Sequence, residues 1–278
     1  MVTLGALHVY PVKSCRGLAP ATARLTDAGL EHDREWLIVT PEGRFLTQRE
    51  EPRLATVEVA LGDGALTLSA AGAGSVAVPL GPAAGPRREV TVWDHRCEAL
   101  DQGEDAAAWL GDLLGRPLRL VRFDPAHRRA SSREWTGGAE AWTRFSDGFA
   151  LLAISLASLA DLNARLATPL PMDRFRPNLV LDGLPPYGED QLEDLVSGNV
   201  RLRRAKPCAR CRIPSTNPAT GEVEGEEPLR TLKTYRWDPV LKGVMFGQNM
   251  FVAAGADERL RVGQALTADV RPASASAP

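Results

Sequence analysis

The 278-residue chain carries 33 Lys and Arg against 35 Asp and Glu, a net charge of −2, so no global field draws it to nucleic acid or to an anionic membrane surface. Hydrophobic residues at 44% and charged residues at 24% are the balance of a globular protein long enough to bury a core without covalent staples. Four cysteines (Cys15, Cys97, Cys208, Cys211) are too few for a disulfide framework; with no leader-like N-terminus and no membrane-length apolar run, a reduced, cytoplasmic setting is expected.

Residues 1–100 read as β. The stretches 3–12, 34–40, 55–61, 65–70, 75–80 and 89–95 are short alternating or β-branched runs separated by Gly, Pro and Asp turns. "GEDAAAWLGDLLG" (103–115) predicts a helix, acidic at its start and closed by Gly. "RPLRLVRF" (116–123) reads as another strand. The Arg-rich stretch 124–142 has no periodicity and is expected to be a connecting loop. Helical spacing returns over 155–166 through Leu156, Leu159, Leu162 and Leu166, with Ser155 placed to cap it. Strands are expected at 178–183, 199–206, 243–254 and 266–271, and 272–278 reads as a disordered tail. There are no internal repeats. The expected fold is mainly β with a few helices (α+β): a β-barrel-like module over 1–123 and a second β domain over 143–271.

The stretch "KPCARCRIP" (206–214) sets Cys208 and Cys211 three positions apart among Lys206, Arg210 and Arg212. Zinc would want four ligands, and no second pair stands at a readable spacing. A redox dithiol would want a strand-to-helix junction, whereas a Pro/Asn/Gly-rich segment follows here. Two buried thiols are the bland alternative. The adjacent cations favour thiolate, so a lone thiolate facing a soft metal held by something else fits the composition best.

Four other stretches offer ligand-binding groups. "YPVKSCRGL" (10–18) presents Lys13, Ser14 and Arg16 within one turn, suited to an anion or simply solvated. Arg34, beside Asp33, either pairs locally or turns its fork toward the same anion. Arg176 and Asn178 flank Pro177 at a strand start, where a guanidinium and an amide can meet a heterocycle edge or merely form a turn. Gly247 precedes Gln248 and Asn249 inside a strand, marking either a close backbone approach to a ligand or a bulge. No GxGxxG, Walker A, HExxH or GxSxG motif is present. Trp135 and Trp142 among Arg128, Arg129 and Arg133 imitate a nucleic-acid patch, which the near-neutral net charge does not support.

In order, "YPVKSCRG", "DREWLIV", "LTQREEPRL", "SDGFALLAISLASLADLN", "FRPNLVLDG", "KPCARCRIPSTNPATGE", "PLRTLKTYR" and "FGQNMFV" form one pattern over nearly the whole chain. It resembles the MOSC-domain molybdoenzymes, and within them the branch of the mitochondrial amidoxime-reducing component and its bacterial relatives. The resemblance implies an N-terminal MOSC β-barrel module followed by a MOSC β-barrel domain. It also implies a molybdenum cofactor (Mo-molybdopterin), with Cys211 as metal ligand and catalytic residue and Cys208 as a non-ligand. Lys13, Ser14 and Arg34 fall where the family contacts the cofactor from its N-terminal module. Arg176, Asn178 and Arg210 fall where it grips pterin and phosphate. Ser146 and Asp147 belong to a further contacting stretch, and Gln248 and Asn249 complete the expected set. Gly148, Ala209 and Asn249 depart from side chains that relatives carry at those places.

The implied activity is reduction of N-oxygenated small molecules to amines by oxygen transfer at molybdenum. With no ferredoxin-like extension of its own, the chain is expected to draw electrons from a separate donor protein of ferredoxin, flavodoxin or reductase type. Neither nucleic acid nor membrane is an expected partner. The competing expectations are a non-catalytic molybdopterin or sulfur carrier, and a dithiol oxidoreductase in which both cysteines matter equally.

Overall fold

The computed structural model describes residues 1–270, and the tail expected over 272–278 lies outside them. Seven strands close into a barrel. Around it run Leu151–Ser155, Leu179–Asp182, Val2–Leu7, Ala265–Val270, Leu192–Ser197, Val200–Ala209 and Gly243–Ala254, the last pairing back to the first. Neighbours are antiparallel except Leu151–Ser155 and Leu179–Asp182, whose parallel pairing is bridged by the helix Leu156–Asn163. The Ser155 hydroxyl accepts the Ser158 N–H at 3.0 Å and so caps this helix as expected. The regular helix stops at Asn163, one turn short of the predicted end.

The barrel takes one strand from the chain's N-terminus: Thr3 lies opposite Asp182, and Val2 opposite Leu266. The expected strand over 3–12 is regular only to Leu7, after which single bridges join Val9 to Leu18 and Val12 to Trp36. Residues 8–18 therefore pass from the barrel to a second β body. That body holds an antiparallel sheet of Trp36–Val39, Arg119–Phe123, His95–Asp101 and Arg87–Val92, and a meander of Glu58–Gly62, Ala65–Ala70 and Gly74–Pro79. The helix Glu104–Leu114 buries Ala106, Trp109, Leu110 and Leu114 against it and ends at Gly115, whose left-handed backbone (φ 72°) suits glycine.

The aliphatic core of the barrel includes Leu4, Leu7, Leu179, Leu195, Leu202 and Met250, all buried. A separate core gathers Val12, Trp36, Ile38, Leu54, Leu110 and Leu120 in the second body. Within 124–142 the sequence promised no structure, yet Arg129–Ala130 begins a short ladder with Trp142–Thr143. A short helix at Leu229–Lys233 was also not anticipated.

Candidate cofactor cleft

A cleft of about 290 Å³ opens where the 8–18 crossover, the 146–149 segment, the 175–178 strand entry and the 206–211 segment meet. Lys13, Ser14, Arg34, Ser146, Asp147, Arg176, Asn178, Arg210, Cys211 and Asn249 all line it. Ser14, Arg34 and Arg176 hold left-handed backbone at φ 72°, 45° and 55°. Each such non-glycine conformation costs on the order of 1–3 kcal/mol and persists only where the surroundings enforce it.

The cations are oriented mostly by main-chain carbonyls. Lys13 Nζ donates to Phe145 O at 2.7 Å and to Asp147 Oδ1 at 2.6 Å. Burial pushes its ammonium below the ordinary lysine range, and Asp147 opposes that shift. Burial would raise the Asp147 carboxyl, but Lys13 and the Trp93 indole N–H outweigh it and hold the group well below the usual range. Arg34 Nη1 donates to both Asp33 oxygens and to Asn178 Oδ1 at 3.0 Å, while its Nη2 donates to Arg176 O at 3.1 Å. Local pairing and cleft lining, the two alternatives for Arg34, therefore hold together. Arg176 Nη1 donates to Cys15 O at 2.7 Å, and burial pulls this guanidinium down to about 10. Asn178 is fully buried; its amide donates to His8 O and its oxygen accepts from Leu152 N and Arg34. It ties the N-terminal segment to the barrel beside the cleft.

Of the three basic residues around the cysteine pair, Arg210 alone touches a thiol among the described residues. Its Nη1 donates to Cys208 Sγ at 3.2 Å and its Nη2 to Phe175 O at 2.8 Å. Lys206 lies over the Trp135 ring and Arg212 donates to the Arg49 carbonyl. Cys208 and Cys211 both line the cleft as free thiols, and Cys208 also packs against Phe175 and its apolar neighbours. Cys15 and Cys97 are buried free thiols elsewhere. Among the described residues no three His, Cys, Asp or Glu side chains converge as a metal cage, so a metal here would need, beyond these thiols, ligands from a group the chain does not supply.

Arg176 Nη2 and Arg210 Nε are buried without a hydrogen-bond partner. Unsatisfied donors on cationic side chains, beside thiols suited to a soft metal, fit an anionic, acceptor-rich, metal-bearing pterin. The space beside Gly148 is open: a Cβ there would meet nothing within 4 Å.

Gln248 is the one expected site residue that does not line the cleft. It is fully buried, with its amide donating to Asn249 O, and it sits opposite Ala153 and Pro207 in the barrel wall. Gly247, with φ 86°, approaches Ile154 and Ala153 rather than a ligand; a Cβ there would meet Ile154 Cγ1 at 2.7 Å. Arg16, offered with Lys13 and Ser14, turns away to Glu58 and the Pro218 carbonyl.

Sequence reading missed four contributors. Arg129 is buried and donates to the carbonyls of Arg144, Ser146 and Asp147, fixing the segment that carries two site residues. Thr47 and Arg49 line the cleft, and the Arg49 guanidinium stacks over Trp93 at 4.2 Å. Trp93 donates to Asp147 Oδ1 at 3.0 Å. Arg129 was hinted at by its place in a Trp-rich loop, and Thr47 and Arg49 by the stretch "LTQREEPRL" of the family pattern.

The MOSC N-terminal beta barrel domain is matched over residues 1–117 and the MOSC domain over residues 140–267. The chain is 37% identical to mouse mitochondrial amidoxime-reducing component 1 over 254 residues, which is 88% of this chain and 75% of that protein. It is 32% identical to rat mitochondrial amidoxime reducing component 2, covering 90% of this chain and 77% of that protein. Among solved structures, the YuaD protein of Bacillus subtilis aligns over 95% of this chain and 93% of its own at 9% identity and TM-score 0.41, a likeness on which no argument rests. With both domains matched and these identities sustained over most of its length, the chain belongs to the MOSC-domain family of the amidoxime-reducing components.

Proposed function

We propose that this protein holds a molybdenum cofactor in the cleft and reduces N-oxygenated compounds, such as hydroxylamines and amidoximes, to amines with electrons from a separate donor protein. The names of its relatives point to N-oxygenated substrates. The observation that carries the reading is the pairing of under-satisfied guanidiniums with two free thiols on one cleft wall. When bound, the cofactor supplies the two-electron oxygen chemistry that no side chain here offers.

The chain's own residues hold and orient. Arg176 and Arg210 offer unpartnered N–H groups to the cofactor's anionic and acceptor atoms, and Arg34 and Lys13, held by Asp33 and Asp147, add cationic donors to the same lining. Ser14, Ser146 and Asn178 provide neutral polar groups on the same lining. The family resemblance makes Cys211 the thiolate ligand, and Cys208, which accepts from Arg210 and packs against Phe175, a non-ligand. Asp147 stays ionised at neutral pH and anchors Lys13, so it is not a proton donor. Reduction of an N–OH group to N–H consumes two electrons and two protons and releases water.

The test is protein purified from a host that makes the cofactor, analysed for molybdenum and pterin and assayed with a hydroxylated base and a reduced dye. Near-stoichiometric metal, amine formation, loss of metal in Cys211→Ser and its retention in Cys208→Ser are expected. Absence of metal and pterin sinks the proposal, and a loaded protein without turnover makes it a carrier instead.

A further inference from the structure

A second cavity, of about 450 Å³, shares Arg176 with the cleft and no other lining residue. Its walls come from Ala55 and from the stretches 8–19, 171–176 and 217–219. The last belongs to "TNPATGE", a segment of the family pattern that the cleft leaves unused.

Two buried donors line this cavity alone and have no hydrogen-bond partner: Tyr10 Oη and Arg174 Nε. Tyr10 is 1% exposed, and its ring is fixed by Gly17 and by the guanidiniums of Arg34 and Arg176 at 4.3 and 4.2 Å. Arg174 is 7% exposed and donates its other N–H groups to Glu224 and the Pro214 carbonyl. Buried polar groups are nearly always satisfied, so two orphans on one cavity point to something that belongs there. Arg176 Nη2 is a third buried donor without a partner, and Arg176 makes no ion pair among the described residues.

Arg174 Nε and Arg176 Nη2 can only donate, and the Tyr10 hydroxyl has its proton free to donate. A water molecule would bring two hydrogens of its own to place, whereas an oxyanion would only accept. Arg16 and Arg174 pair with Glu58 and Glu224, Asp173 is the one lining carboxylate and is exposed, and Arg176 contributes unneutralised charge.

We propose that this cavity binds a small oxyanion, the phosphate or carboxylate group of a metabolite, through Tyr10 and Arg174, with Arg176 adding positive charge from the wall it shares with the cleft. The site requires no metal, and its two donors do not line the cleft.

Inorganic phosphate and acetate, each titrated calorimetrically into the purified protein at ionic strength matched with chloride, test it. Whichever anion binds more tightly identifies the source. Tyr10→Phe keeps the ring beneath both guanidiniums and is expected to weaken binding about tenfold, the worth of one hydrogen bond to an anion. Asp173→Asn, an exposed change, is expected to tighten binding about threefold by removing the one opposing charge. Without anion, Tyr10→Phe should melt at or above the parent temperature, because the hydroxyl it loses has no partner. No binding of either anion at millimolar concentration overturns the proposal. So does an affinity that neither substitution moves, which would put the anion in the cleft, and so does a Tyr10→Phe protein melting well below the parent.

Discussion

The arginines of the two bodies are used in opposite ways. In the second body, Asp101 is buried and takes Arg88 Nε at 2.5 Å and both Arg119 Nε and Nη2 at 2.9 and 2.6 Å, while Glu104 takes Arg119 Nη1. Charge there is cancelled within the fold. At the cleft, Lys13 and Arg34 are paired with Asp147 and Asp33, but Arg176 and Arg210 donate to the carbonyls of Cys15 and Phe175. A carbonyl fixes the direction of a cation and leaves its charge in place. The first arrangement stabilises structure; under the proposed function the second would meet an anion, and Arg176 and Arg210 each keep a buried donor without a protein partner.

The contrast can be broken most severely at Asp101. Asp101→Asn takes the carboxylate from Arg88 and leaves Arg119 with Glu104 alone, and should cost about 2–3 kcal/mol in urea unfolding, with pterin content unchanged. Next comes Glu35, which accepts from Arg122 at 2.7 Å and from His32 at 3.0 Å. Burial alone would raise its carboxyl, but His32, Arg144 and Arg122 bring it down from 4.5 to about 2. Since the folded value is the lower, its stabilisation is complete above about pH 4.5 and fades as pH falls toward 2. That component, on the order of 2–3 kcal/mol, should vanish from the acid limb of the stability curve in Glu35→Gln.

Arg210→Ala tests the other half of the contrast. It should lower retained pterin by tenfold or more, about 2 kcal/mol of lost charge-assisted contact, while the urea midpoint moves little. Pterin is read by fluorescence after oxidative release, and full retention would show that carbonyl-oriented cations are not the binding groups. At the small end, Arg44→Gln removes an exposed pair with Glu50 and should shift stability by under about 0.5 kcal/mol.

Local pattern was readable where one residue's neighbours decide its state. The Ser155 cap, the Gly115 stop and the alternating strands of residues 55–80 needed only nearby chain. Gln248 and Asn249 show the limit. Successive strand residues face opposite sides, so one of the two had to turn inward, and the ladder with Leu151–Ser155 chose Gln248. Arg129, Arg49 and Trp93 were missed because their partners lie 15 to 54 positions away and no motif joins them.

By itself, the sequence determined a mainly β chain and the family pattern, and all of its expected site residues except Gln248 line one cleft. Composition and periodicity carry that information because propensity and pattern act over a few residues. Tertiary structure alone decided that residues 2–7 complete a barrel with strands from the chain's second half, which carries Lys13 and Ser14 to face Arg210 and Cys211. It also decided that Arg210 bonds Cys208 and that Arg176 stands between two cavities. Those outcomes depend on strand register and on carbonyls contributed from 35 to 161 positions away, and no local spacing encodes them.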